Sequence, residues 1–265
     1  MQPISIATIS ESIQIGLSIG NSRYHWAWFL NTKLQSSWDT EYLIPDRLLE
    51  LLPIDLQAII KEHQLKIDRI PIYLVSVVPS QTVIWQQLSQ VKTITLADIP
   101  LFNLYQTIGI DRALAVFGAG EICGYPVLVI DGGTALTITG VDANCHLVGG
   151  AILPGLRLQL RSLAVGTAAL PQIGLPQQLP PRWSNNTAGS ISSGILYTVS
   201  AGIIDFMRDW DRLYPDSQIV FTGGDGELLN GYIQAMSRHL AVRVRYDRQL
   251  LFHGLAAILA EDNLP

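Results

Sequence analysis

Three glycine-centred segments carry the residues best suited to chemistry. Residues 15–29 read IGLSIGNSRYHWAWF and residues 129–141 read VIDGGTALTITGV, each an apolar strand, a glycine turn with small hydroxyl or amide residues, and a second apolar strand. In the alignment this repeat implies, Ser18 faces Asp131, Gly20 faces Gly133 and Asn21 faces Thr134. Such a turn lets backbone N–H groups close on phosphate oxygens, because no Cβ blocks the approach or forbids a positive φ. The third segment, Thr222-Gly223-Gly224-Asp225-Gly226, lies between an apolar strand and a helical pattern, where the N–H groups of a helix N-terminus attract anions. One such hairpin alone reads as an ordinary turn; two matched hairpins plus a third loop read as a cradle for a nucleotide polyphosphate. Neither GxGxxG nor GxxxxGK[ST] occurs, which argues against Rossmann and P-loop sites.

Asp131, directly before its glycines, is either a turn-stabilising residue or a carboxylate that holds a cation or its waters. Asp111 and Arg112, in the run GIDRALA at residues 109–115, open a helical pattern. Read alone, Asp111 is a helix cap and Arg112 a solvated charge.

The elements that must position these residues alternate between β-type and helical patterns, the mark of an α/β protein. Strands are expected at 13–19, 24–29, 72–78, 92–96, 127–130, 136–141, 218–221 and 242–246, and helices at 46–63, 81–90, 111–122, 156–164, 190–213, 226–236 and 251–261. The proline-rich passage 171–181 reads as a surface loop, and the Gly-Tyr-Pro at 124–126 suggests lobes of 1–120 and 121–265. With 48% hydrophobic and 15% charged residues among 265, the chain can bury a sizeable core. Its net charge of −5 offers no basic surface for nucleic acid. The two cysteines, Cys123 and Cys145, form no CxxC or Cys/His cluster, as expected of thiols in a reducing compartment. Residues 1–12 lack a basic n-region, and no uninterrupted apolar run nears the roughly 18 residues of a membrane span. The expectation is a cytoplasmic chain with no membrane partner.

GNS at 20–22, GIDRALA at 109–115, DGGTALT at 131–137, GGAILPGL at 149–156, LAVGTAALP at 163–171, NTAGSISSG at 186–194 and TGG at 222–224 follow one another in that order. Together they resemble type III pantothenate kinase, of the acetate and sugar kinase, Hsp70 and actin superfamily. The resemblance implies two ribonuclease-H-like lobes with ATP between them, in a homodimer, and transfer of the γ-phosphoryl group to the primary hydroxyl of pantothenate. That transfer is the first step of coenzyme A synthesis. It also implies Mg²⁺ at the phosphates and a monovalent cation, K⁺ or NH₄⁺, at Asp131. By the same resemblance Asp111 is the general base, Arg112 binds pantothenate, and Gly109 leaves room for it. Gly20, Asn21, Ser22, Gly133, Thr134, Gly223 and Gly224 fall in the ATP loops, and Thr187 reaches the substrate from the partner subunit. The apolar helical pattern at 190–213, with Ile195, Leu196, Val199, Ile203, Ile204 and Phe206, exceeds what a small lobe needs to bury and points the same way, to a dimer.

Two positions depart from the family pattern. Ser18 stands where the family has an aspartate near Mg²⁺, and Phe102 where it has a substrate-binding tyrosine, with Tyr105 close by to supply a hydroxyl. Hard cations favour carboxylate ligands, so the chain is expected to need unusually high Mg²⁺ or ATP. Ser18→Asp is expected to lower the Mg²⁺ concentration that gives half-maximal rate, read from Mg²⁺ titrations of both proteins; superimposable curves would contradict this. A kinase for another small alcohol, and a degenerate nucleotide-binding regulator, are the alternatives.

Overall fold

The computed structural model describes residues 12–237 and 244–261. The first elements are β1 (Ile13–Ile19), β2 (Tyr24–Leu30), β3 (Lys33–Thr40), α1 (Leu48–Leu51), α2 (Ile54–Glu62), β4 (Ile72–Ser76), α3 (Pro79–Trp85), β5 (Val91–Thr93) and α4 (Ile110–Cys123). They are followed by β6 (Val127–Gly132), β7 (Ala135–Val141), β8 (Leu147–Pro154), α5 (Leu156–Gly166), α6 (Thr187–Leu213), β9 (Gln218–Thr222), α7 (Gly226–Met236), β10 (Val244–Tyr246) and α8 (Leu250–Glu261). The chain divides into two compact units: the first holds the described residues up to Pro100, Tyr105–Gly118 and those from Leu251 on, the second Leu101–Leu104 and Ala119–Leu250.

Each unit is built on a five-stranded sheet, ordered β3-β2-β1-β4-β5 in the first and β10-β9-β6-β7-β8 in the second. In both, three antiparallel strands in sequence are extended by two strands parallel to the first of them. The short repeat seen in the sequence is therefore one visible part of a duplicated ribonuclease-H-like sheet. Ser18 and Asp131 occupy the same place in it, each one residue before the end of the sheet's founding strand.

Strand alternation sets which residues of β1 face which layer. Ile13, Ile15, Leu17 and Ile19 enter a core with Trp26, Trp85 and Leu56. The opposite face carries Gly16, where an added Cβ would lie 2.8 Å from Leu255 of α8, and Ser18. Helix α8 in turn meets α4 closely, for a Cβ on Gly254 would lie 2.3 Å from the Leu114 carbonyl oxygen. This packing corrects the expected lobe division: the last helix belongs to the first unit, because its glycine admits the α4 backbone and its leucine seals β1.

Three further expectations need correction. The single helix expected at 46–63 is broken at Pro53, which lacks an N–H and holds Leu52 in an extended conformation, so α1 and α2 are separate. Strands β3 and β8 were not anticipated: β3 (KLQSSWDT) is an edge strand with no buried residue, and β8 (LVGGAILP) carries two glycines and a proline, residues depleted in strands. The apolar surplus of the long helix does not remain for a partner. Leu196, Val199, Ile203 and Ile204 pack with Met207 and Trp210 into the core of the second unit, leaving Phe206 as the exposed member of the set and Ile195 half-buried. The same helix is the one among the described residues long and apolar enough to cross a membrane, and half of its apolar window is buried in that core. The strand expected at 242–246 is present from Val244, its first two positions lying outside the described residues. The passage 171–181 has no regular structure and is fastened by Leu175 and Leu179 on the core and by the Tyr197 hydroxyl on the Pro180 carbonyl at 3.0 Å.

Candidate active site

Helix α4 is buried from Arg112 to Gly120, and its first turn places a carboxylate and a guanidinium side by side at the start of that buried stretch. Asp111 lies inside that first turn rather than at the capping position before it. Its Oδ1 accepts a hydrogen bond from the Arg112 backbone N–H at 2.8 Å, which satisfies one of the donors a helix start leaves unpaired. Burial pushes the Asp111 carboxyl above its ordinary value, outweighing that hydrogen bond and the nearby charges of Arg112 and His25, which act in the opposite direction. Arg112 is 8% exposed, and its Nη1 donates to the Tyr105 hydroxyl at 3.1 Å. The hydroxyl sought near residue 102 is thus brought to Arg112 by Tyr105.

Gly109 has a role that the sequence does not display. A Cβ there would lie 2.5 Å from Asp111 Oδ1, so the absence of a side chain makes room for the carboxylate itself. The obstructed atom is the end of a side chain, which can turn away without unfolding the helix. Gly109→Ala is therefore expected to leave the melting temperature nearly unchanged and to lower turnover by about tenfold through misplacement of the carboxylate. Unchanged turnover would show that the crowding has no consequence.

The β1–β2 turn is closed by Gly20 N–H to the Arg23 carbonyl at 3.2 Å, and the Tyr42 hydroxyl donates to the Gly20 carbonyl. Asn21 and Ser22 are exposed at its tip. Ser18 is buried and pairs with His25 across the hairpin. His25 was not singled out from the sequence; its Nδ1 lies 2.8 Å from Asp39 Oδ1.

In the second unit the structure gathers Asp131, Gly133 and Gly223. Gly133 N–H donates to the Ala135 carbonyl at 3.1 Å, leaving Thr134 exposed at the turn, and the Thr134 carbonyl accepts from Gly155 N–H at 2.9 Å. Gly223 has φ +82°, and a Cβ there would lie 2.2 Å from Asp131 Oδ1 and 2.8 Å from the Gly132 backbone. Asp225 N–H donates to the Gly132 carbonyl at 2.8 Å, and the buried Asp225 carboxylate accepts from Arg157 Nε at 2.9 Å. The GGAILPGL and TGGDG segments thereby brace the β6–β7 turn, a link that sequence separation concealed. Gly224 is exposed with nothing near its missing side chain.

Phe102 belongs to the second unit, 61% exposed and against the His146 ring at 5.2 Å. Thr187 is the exposed first residue of α6, whose start is capped by the Asn186 side chain accepting from Gly189 N–H at 2.9 Å. Cys123 and Cys145 are free, half-buried thiols.

The duplicated sheets with glycine turns at their founding hairpins define an ATPase and kinase fold of the acetate and sugar kinase, Hsp70 and actin class. The structure is similar to that of a Baf family protein from Campylobacter jejuni (TM-score 0.63, 22% identity, 94% of this chain and 100% of that one). It is also similar to the activator of 2-hydroxyisocaproyl-CoA dehydratase from Clostridium difficile, solved with bound ADPNP (TM-score 0.52, 14% identity, 93% of each chain). The sequence profile described as type III pantothenate kinase matches residues 15–209, and a type III pantothenate kinase from Nostoc sp. PCC 7120 is 44% identical, aligned over 94% of this chain and 95% of its own. The chain belongs to the type III pantothenate kinase family.

Proposed function

We propose that the chain transfers the γ-phosphoryl group of ATP to the primary hydroxyl of pantothenate, yielding 4'-phosphopantothenate and ADP as the first step of coenzyme A synthesis. The observation that carries the reading is the half-buried Asp111 carboxylate, set by a backbone N–H, with the buried Arg112 guanidinium one residue away and steadied by Tyr105. An arginine so held suits a substrate carboxylate, which pantothenate carries. Phosphoryl transfer asks mainly for in-line positioning and charge neutralisation. Asp111 accepts the hydroxyl proton as the new P–O bond forms and the bond to the ADP oxygen breaks; the turns at Gly20–Ser22 and Gly133–Thr134, with Gly223 and Gly224, present backbone N–H groups to the phosphates. Phe102 and Thr187 complete the substrate pocket, Thr187 from the partner subunit of a homodimer.

Among the described residues no three His, Cys, Asp or Glu side chains gather into a metal cage. Mg²⁺ bound by the phosphates and water, which neutralises phosphate charge, fits that donor set. Asp131, lying against the Gly223 backbone, is the residue suited to the monovalent cation. We place the enzyme in the cytoplasm, with no nucleic-acid or membrane partner.

A coupled ADP-release assay over pantothenate and other small alcohols, with Mg²⁺ and K⁺ or NH₄⁺ varied, tests the reading. Turnover with pantothenate and weak turnover with other alcohols is expected; ATP binding without transfer to any alcohol would favour a regulator. Sedimentation equilibrium is expected to show a dimer at micromolar concentration, and a monomer there would remove Thr187 from the site.

A further inference from the structure

Helix α7 begins in a way that its sequence does not require. Asp225 stands directly before its first turn, where an aspartate ordinarily turns its carboxylate back to accept from the N–H groups two and three residues on. Here the side chain makes no such bond to its own helix, and the backbone, at φ −104° and ψ 4°, departs from the extended conformation usual for a capping residue. The carboxylate is taken instead by Arg157 of α5, whose Nε donates to Oδ1 at 2.9 Å.

The two partners are unequal, for the Arg157 side chain is 66% exposed and that of Asp225 7%. A cation so well hydrated gains little from the contact, whereas a carboxylate so deeply buried needs a partner. Without Arg157, the donors offered to Asp225 are the Glu227 and Leu228 N–H groups, which belong to the turn that a helix leaves without intrahelical acceptors. The loop does not depend on the ion pair for its shape. Asp225 N–H donates to the Gly132 carbonyl at 2.8 Å, Gly226 N–H to the Gly223 carbonyl at 3.2 Å, and the Tyr246 hydroxyl to that same carbonyl at 3.4 Å. Arg157 is likewise placed from elsewhere, two residues after Gly155, whose N–H donates to the Thr134 carbonyl at 2.9 Å. What the pair alone decides is where the Asp225 carboxylate points. Turned to α7, it would occupy N–H groups beside Gly223 and Gly224 and set a negative charge next to the phosphates assigned to that turn, where like charges repel.

We propose that Arg157 is a positioning residue for the nucleotide: by holding the Asp225 carboxylate away from α7, it keeps the start of that helix and the Gly223–Gly224 turn open to ATP. The proposal deepens the kinase reading and rests on it for ATP, though not for pantothenate. It gives Arg157 no contact with the nucleotide, so the harm done by losing Arg157 comes from the released carboxylate and disappears with it.

Equilibrium binding of AMP-PNP to the full chain, without pantothenate, tests it. Arg157→Ala is expected to weaken AMP-PNP about tenfold, in the range of one hydrogen bond to a charged group, with a melting temperature nearly unchanged because the helix start satisfies the carboxylate. Removing that carboxylate as well, in the double variant Arg157→Ala, Asp225→Ala, should restore affinity to within about twofold of the parent, a coupling that independent residues do not show. Parental affinity in Arg157→Ala overturns the proposal. So does a double variant that binds no tighter than Arg157→Ala, the result expected of a direct contact or of a simple brace. Should Arg157→Ala fold poorly, Asp225→Ala alone decides: near-parental affinity is expected, and a loss of about tenfold overturns the proposal. A crystal structure of nucleotide-free Arg157→Ala keeps the two readings apart. Its Asp225 carboxylate should accept from the Glu227 or Leu228 N–H, and a carboxylate still clear of α7 counts against Arg157, whereas a parental chain that fails to bind AMP-PNP counts against the kinase reading.

Discussion

Asp111→Asn is expected to fold as the parent chain does and to lose at least about 100-fold in turnover, the lower range for removing a general base. The amide keeps the shape and can still accept from the Arg112 N–H, but it cannot take a proton. The buried position has two consequences of opposite sign. A base whose carboxyl is raised by desolvation becomes protonated at a higher pH than an ordinary aspartate, so turnover should fall on the acid side above the usual carboxylate range. For stability, a carboxyl raised on folding binds more protons in the native than in the unfolded state between the two values, so stability declines as pH rises through that window. The Asn variant, having no charge to bury, should melt at the same temperature or higher near neutral pH and lack this decline. Near-parental turnover, or a much lower melting temperature, would remove Asp111 from the role of base.

Gly223→Ala is expected to damage both stability and nucleotide affinity. At φ +82° an alanine is strained, and its Cβ would meet the Gly132 backbone at 2.8 Å as well as Asp131 Oδ1 at 2.2 Å. A carboxylate end can turn; a strand backbone bonded in register to β7 and β9 cannot turn without loss of those bonds. Strain of this kind costs about 1–3 kcal/mol. If the loop relaxes by withdrawing one or two N–H groups from the phosphates, each worth about 1.5–3 kcal/mol toward a charged partner, ATP affinity should fall by about 10- to 100-fold or more. Calorimetric melting and ATP titration read the two effects separately. Parental values in both would mean that the loop is free to move and does not hold the nucleotide.

Gly224→Ala is the internal control for stability, since no protein atom lies within 4 Å of its missing Cβ and its φ is not in the left-handed region. Adjacent glycines in one motif therefore carry different constraints, which the letters GG do not distinguish.

The sequence by itself determined the α/β class, the founding hairpins, and the run of motifs that led to the family. These are local matters: alternation over five to seven residues, a glycine turn and an ordered string of short motifs do not depend on the rest of the chain. It also contained, unread, the break at Pro53, which the rule against proline within a helix already implied. Only the tertiary structure decided which apolar residues of the long helix were surplus, because periodicity says that a face is buried and not what covers it. Edge strand β3 escaped notice because its pairing with β2, rather than its composition, makes it a strand. The return of α8 to the first unit, the room that Gly109 makes for Asp111, the brace from Arg157 to Asp225 and the hold of Asp39 on His25 all join positions whose meaning arises from close approach in space. Backbone and side-chain atoms within about 3 Å of one another set the chemistry of such a site, and that proximity is a property of the packed chain.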